Sequence, residues 1–114
     1  MLTYSNSQSN LLAGVGIEAE VIDLRSLVPL DIESVLTSVA KTTRLFTVEE
    51  NPRLCGWGAE LVSQVVEESF FSLDSPPVRI TTPHIPLAAS RSLEEVQIPT
   101  AEKVFMDVRR ILER

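Results

Sequence analysis

Three short apolar runs alternate along this chain with three stretches of helical period, and that alternation restricts the fold more than any other feature. Ile17-Glu18-Ala19-Glu20-Val21-Ile22-Asp23 alternates and then turns apolar, as a strand does on entering a core. Arg44-Leu45-Phe46-Thr47-Val48-Glu49 is short and mostly apolar, the pattern of a strand covered on both faces. Val78-Arg79-Ile80-Thr81 is the third such run. Between the first two, Val28-Pro29-Leu30 breaks the pattern and Asp31 supplies an N-cap. Ile32, Val35, Leu36 and Val39 then fall on one helical face. Ala59, Val62, Val65, Val66 and Phe70 mark a second helix to about Phe71, closed by Pro76-Pro77. Thr100 caps the last helix, with Ala101, Val104, Phe105, Val108, Ile111 and Leu112 as its face. Strands alternating with helices predict an α/β fold, a mostly parallel sheet between helices. The polar, glycine-containing residues 5–16 read as a loop or a short, poor helix. Residues 82–99, with Pro83, Pro86 and Pro99, read as an extended surface loop.

At 114 residues there is room for one domain and one core. No apolar run approaches the roughly 20 residues of a membrane span. The start, Met1-Leu2-Thr3-Tyr4-Ser5, lacks the pattern of a secretory signal, so the expected location is the cytoplasm, or an organelle matrix if a transit peptide has been lost. The lone cysteine, Cys55, excludes an intramolecular disulfide framework and a multi-cysteine metal site, and is expected to be a small buried hydrophobe. A net charge of −6, with only Arg109-Arg110 adjacent among ten scattered cations, argues against a nucleic-acid partner. An acidic surface serves solubility and equally serves docking to a basic protein.

Several residues carry chemistry in principle. His84, the single histidine, sits in Thr82-Pro83-His84-Ile85-Pro86, but no serine or cysteine lies in a nucleophile motif, so it reads as a solvated or hydrogen-bonded loop residue. Glu49-Glu50 ends a strand where open α/β sheets place ligands. Without a second ligand cluster, a structural role at the strand end is the better reading. Gly56-Trp57-Gly58-Ala59-Glu60 resembles a phosphate-cradling turn before a helix, yet has neither GxGxxG nor Lys-Ser/Thr. Two glycines allowing a tight turn and close helix–strand packing, with Trp57 plugging the surface, explain it as well. The residues themselves thus point to an α/β domain with no catalytic, cofactor-binding or metal site of its own.

The ordered series of motifs goes further. Ala19-Glu20-Val21-Ile22-Asp23-Leu24-Arg25-Ser26-Leu27-Val28-Pro29-Leu30-Asp31 resembles the segment that opens the transketolase C-terminal domain in 2-oxo acid dehydrogenase beta subunits. Val48-Glu49-Glu50 with Gly56-Trp57-Gly58-Ala59-Glu60 resembles that family's strand-turn-helix. Leu73-Asp74-Ser75-Pro76 with Val78-Arg79-Ile80-Thr81 resembles its next junction, and Leu93-Glu94 with Ile98-Pro99 the loop before its terminal helix. The match runs from about residue 17 to the end, in order and spacing.

The resemblance implies a three-layer α/β/α domain on a five-stranded, mostly parallel mixed sheet, at residues 17–114, with residues 1–16 a truncated strand and helix remnant. It implies the beta subunit of a thiamine-diphosphate-dependent decarboxylating component of the pyruvate, branched-chain 2-oxo acid or acetoin dehydrogenase type. Pro83-His84-Ile85-Pro86 leans toward the acetoin-like members. Thiamine diphosphate and Mg²⁺ would belong to the full enzyme, since the N-terminal half of the beta subunit, with its cofactor-activating carboxylate, and the alpha subunit lie outside this chain. The implied role is assembly: pairing with a second beta subunit, and docking the peripheral-subunit-binding domain of the acyltransferase core. In the family an aspartate at the Leu-Asp-x-Pro position faces a basic residue of that partner, here Asp74. A simple turn role for Asp74 stands equally open. Two departures accompany the resemblance. Only residues 6–15 stand where the family has a helix of several turns, which would uncover part of one sheet face and favour self-association. Leu87-Ala88-Ala89 stands where an aromatic residue is usual. The rival reading is a free-standing module that binds a small anion or a protein through the acidic surface and the 56–60 turn.

Overall fold

The computed structural model describes residues 10–83, 85 and 89–113. A helical turn at residues 10–13 leads into an irregular stretch, followed by helix α1 (Ile32–Thr42), strand β1 (Phe46–Pro52) and helix α2 (Trp57–Ser69). A 3₁₀ turn (Phe70–Ser72), strand β2 (Val78–Thr82) and helices α3 (Arg91–Gln97) and α4 (Ala101–Leu112) complete the order.

The helix starts follow from their caps. The Asp31 carboxylate accepts the Ser34 backbone N–H at 3.2 Å and the Ser34 hydroxyl at 2.6 Å, satisfying a donor that the first turn of α1 would otherwise leave unpaired. Thr100 Oγ1 accepts from the Lys103 N–H at 3.2 Å and does the same for α4. At its other end α1 stops on Thr43 in the left-handed region (φ 61°), whose N–H returns to the Val39 carbonyl.

β1 and β2 are parallel, pairing Phe46 with Val78, Thr47 with Arg79 and Val48 with Ile80. Side chains alternate across a strand, so this register sorts the two faces. Phe46, Val48, Val78 and Ile80 pack with Leu12, Val104 and Val108 beneath α4. Thr47, Glu49 and Arg79 point to the opposite face, where α1 and α2 bury Val35, Val39, Leu61 and Val65, with Leu45, Trp57 and Leu73 packed against them. Helices thus lie on both sides of a parallel sheet, as the alternation predicted.

Four expectations are corrected. Among the described residues the sheet has two strands, and residues 17–23, expected as a strand, form no ladder with either of them and line an apolar cleft beside Phe46 and Val48. The loop expected over 82–99 contains helix α3, whose start is marked by Ser90 Oγ accepting from the Leu93 N–H at 3.4 Å. Its apolar residues Leu93 and Val96 are exposed, so there was no buried face to leave a period in the sequence. On α2 Val65 is buried as expected, but the other buried apolar side chain is Leu61, while Ala59 is exposed and Phe70 lies past the helix end in the 3₁₀ turn. Cys55 is exposed rather than buried, because it occupies the turn before Gly56 with φ 58°.

Candidate functional site

The C-terminal end of the sheet is where an α/β domain places ligands, and here that position is already filled from within. Glu49, midway along β1 where the strand passes under the head of α2, is wholly buried (0% exposed). One carboxylate oxygen accepts the backbone N–H of Gly58, in the first turn of α2, at 2.6 Å. The other pairs with the guanidinium of Arg79, its neighbour on β2, whose side chain is itself almost entirely buried. The N-terminal end of a helix attracts an anion through its free N–H groups and its dipole. In this chain the anion is Glu49, neutralised on its other side by Arg79.

This arrangement explains both glycines. A Cβ on Gly58 would lie 2.6 Å from Glu49 Oε2, 2.8 Å from Thr47 Oγ1 and 3.1 Å from Arg79 Nε. A Cβ on Gly56 would lie 2.6 Å from Glu49 Oε1 and from Arg79 Nη2. The turn is therefore short of side chains so that the ion pair fits under the helix. The close-packing explanation of the Gly56-Trp57-Gly58 motif holds, and the phosphate-cradle reading loses the amide it needed. Arg79 also donates to the Arg53 carbonyl at 2.9 Å, tying the turn to β2. Thr47 Oγ1 and Arg79 Nε are buried without a hydrogen-bond partner. Among the described residues no three His, Cys, Asp or Glu side chains converge as metal ligands.

Sequence reasoning found Glu49 and the glycines but missed Arg79. Its signal was a lone cation inside an otherwise apolar strand run, which has to find a carboxylate when buried. Glu50, next to Glu49, is exposed and takes no part through its side chain. His84, Pro86, Leu87 and Ala88 lie outside the described residues.

Asp74 stands at the opposite end of the sheet, beyond the 3₁₀ turn. It is exposed; its Oδ2 accepts from the Thr43 hydroxyl at 2.8 Å, and its backbone N–H donates to the Thr43 carbonyl at 2.9 Å. Asp74 therefore clamps the end of α1 to the approach to β2, a turn function the sequence allowed for. Thr43 as its partner was not anticipated.

The fold is therefore a parallel α/β domain in which the head of α2 is occupied by the chain's own Glu49–Arg79 ion pair. The transketolase C-terminal domain family matches residues 1–104, and this chain belongs to it. Over 110 residues it is 40% identical to the mitochondrial pyruvate dehydrogenase E1 component subunit beta-2 of Oryza sativa subsp. japonica, covering 96% of this chain and 29% of that protein. The corresponding subunit of Caenorhabditis elegans is also 40% identical over 110 residues, covering 96% and 31%. The beta subunit of the acetoin:2,6-dichlorophenolindophenol oxidoreductase of Bacillus subtilis is 46% identical over 90 residues, covering 78% and 26%. These matches support a C-terminal domain of the 2-oxo acid dehydrogenase beta-subunit type, and the chain spans less than a third of the length of these relatives.

Proposed function

We propose that this domain serves assembly in the decarboxylating component of a 2-oxo acid or acetoin dehydrogenase complex. It would pair beta subunits and dock the peripheral-subunit-binding domain of the acyltransferase core, without catalysing a reaction alone. The observation that carries this reading is Glu49. A diphosphate needs free helix amides and a net positive surround, and at the head of α2 a buried carboxylate already takes the Gly58 amide and the Arg79 charge. The head of α2 therefore does not fit a diphosphate. In the full enzyme the cofactor and Mg²⁺ would be held by the N-terminal half of the beta subunit together with the alpha subunit. The same carboxylate counts against the rival, a free-standing module for a small anion. The expected location is the cytoplasm, or the mitochondrial matrix in a eukaryote; the names of the rice and nematode relatives give those proteins as mitochondrial.

Docking would use Asp74. Its carboxylate is exposed yet held in one orientation by Thr43, so little freedom is lost when a cation meets it. The test is to titrate the subunit-binding domain against wild type and Asp74→Asn, which keeps an acceptor for Thr43 and removes the charge. Truncating one partner of an interfacial charge pair costs about 2–5 kcal/mol, so affinity should fall by more than about tenfold. A double-mutant cycle with the partner's basic residue should show coupling. Affinities that agree within about threefold, with both proteins folded, would leave Asp74 a turn residue only.

A further inference from the structure

A few residues before Asp74 lies the most exposed aromatic surface among the described residues. Phe71 is 99% exposed and Phe70 60% exposed, and their rings meet edge to face at 5.4 Å between centroids. Both sit in the 3₁₀ turn that extends α2, which is fixed beneath by the Leu73 N–H donating to the Phe70 carbonyl at 3.2 Å. Two phenyl rings held in water by an ordered turn are a costly use of apolar area unless something covers them.

The surrounding charge indicates what covers them. The last turn of α2 carries Glu67 and Glu68 and no cation, although a helix C-terminus carries partial negative charge and favours cations. Both are exposed, as is Asp74, and among the described residues none of the three pairs with a cation. A second copy of this chain is a poor occupant. A two-fold contact would bring Glu67, Glu68 and Asp74 against the same three carboxylates.

We propose that Phe70 and Phe71 form the apolar knob of the docking surface, received by a basic partner domain whose cations meet Glu67, Glu68 and Asp74. This rests on the docking role proposed above and extends it: the aromatic pair supplies the buried centre of the contact, and the acids supply its rim.

The experiment titrates the acyltransferase subunit-binding domain against the full chain as wild type, Phe71→Ser and Phe71→Glu, at low and high salt. With its side chain almost wholly in solvent, Phe71 can be replaced without emptying the core, and circular dichroism checks the fold. Phe71→Ser should weaken binding at least tenfold at both salt concentrations, because buried apolar area is not screened. Phe71→Glu should weaken it as much, although it adds a charge that a purely electrostatic contact with a basic partner would welcome. Wild-type binding that is unchanged by Phe71→Ser, or tightened by Phe71→Glu, overturns the knob and leaves the docking role standing. No binding by wild type overturns the docking role and the knob with it. Sedimentation showing a dimer that Phe71→Ser dissolves, with partner affinity unaltered, overturns the choice of occupant in favour of a second copy.

Discussion

Replacing Gly58 by alanine adds one methyl group at a crowded, buried point of the fold. Its Cβ would lie 2.6 Å from Glu49 Oε2, 2.8 Å from Thr47 Oγ1 and 3.1 Å from Arg79 Nε, and Thr47 and Glu49 are buried. The far ends of these side chains can give way only by loosening the ion pair. Overpacking a core site costs about 1–3 kcal/mol, and removing one partner of a buried ion pair about 3–5 kcal/mol. Displacing Glu49 without deleting it should fall between these, at about 3 kcal/mol. Against the total stability of a small domain, about 5–15 kcal/mol, that is a large fraction. Urea unfolding followed by the fluorescence of Trp57, the single tryptophan, which packs on the α1–α2 core, reads the loss directly. With m near about 1.5 kcal/mol/M the midpoint should fall by about 2 M. Gly16→Ala is the matched control. At φ +82° with nothing within 4 Å of its Cβ position, it carries backbone strain alone, about 1–2 kcal/mol. A midpoint shift for Gly58→Ala no larger than that for Gly16→Ala would refute the crowding argument.

Two further outcomes follow from the packing and the caps. Val65 is 0% exposed between α1 and α2, so Val65→Ala should cost about 2–3 kcal/mol from lost burial and the cavity left behind, measured by the same urea series; a cost under about 1 kcal/mol would contradict its central place. The Asp31 carboxyl titrates below its ordinary value of 3.8, because the Ser34 hydroxyl and then the Ser34 backbone N–H bond its charged form. Its folded pKa lies below its unfolded one, so its contribution to α1 is complete above the unfolded value and is lost as pH falls through the folded one. Carboxyl chemical shifts followed from pH 5 to 2 should place the midpoint below 3.8. A midpoint at or above that value would rule out the cap as its cause.

What could be read in advance depended on whether a physical force writes a local pattern. The starts of α1 and α4 were legible because Asp31 and Thr100 are capping residues placed one position before an apolar face, and Val35, Val39, Val104 and Val108 are the residues that face buries. Helix α3 was not, since a seven-residue helix with Leu93 and Val96 in solvent has no apolar face to repeat. Cys55 was misread because composition knows only that cysteine is usually buried, whereas the turn at Gly56 needs a residue there with positive φ. At the site, Glu49 and the two glycines stand within ten residues of one another and could be suspected together. Arg79 is thirty residues further on and joins them only through the parallel pairing of β1 and β2. The Asp74–Thr43 clamp spans a similar distance, 31 residues, so the turn role was visible in sequence and its partner was not.

Calorimetric titration of the full chain with thiamine diphosphate and Mg²⁺ tests the central claim most directly. If Glu49 holds the anion position at the head of α2 and this domain is built for contact rather than chemistry, the titration shows heats of dilution only. Binding in the micromolar range would mean that the chain assembles a diphosphate site after all, and would contradict the account.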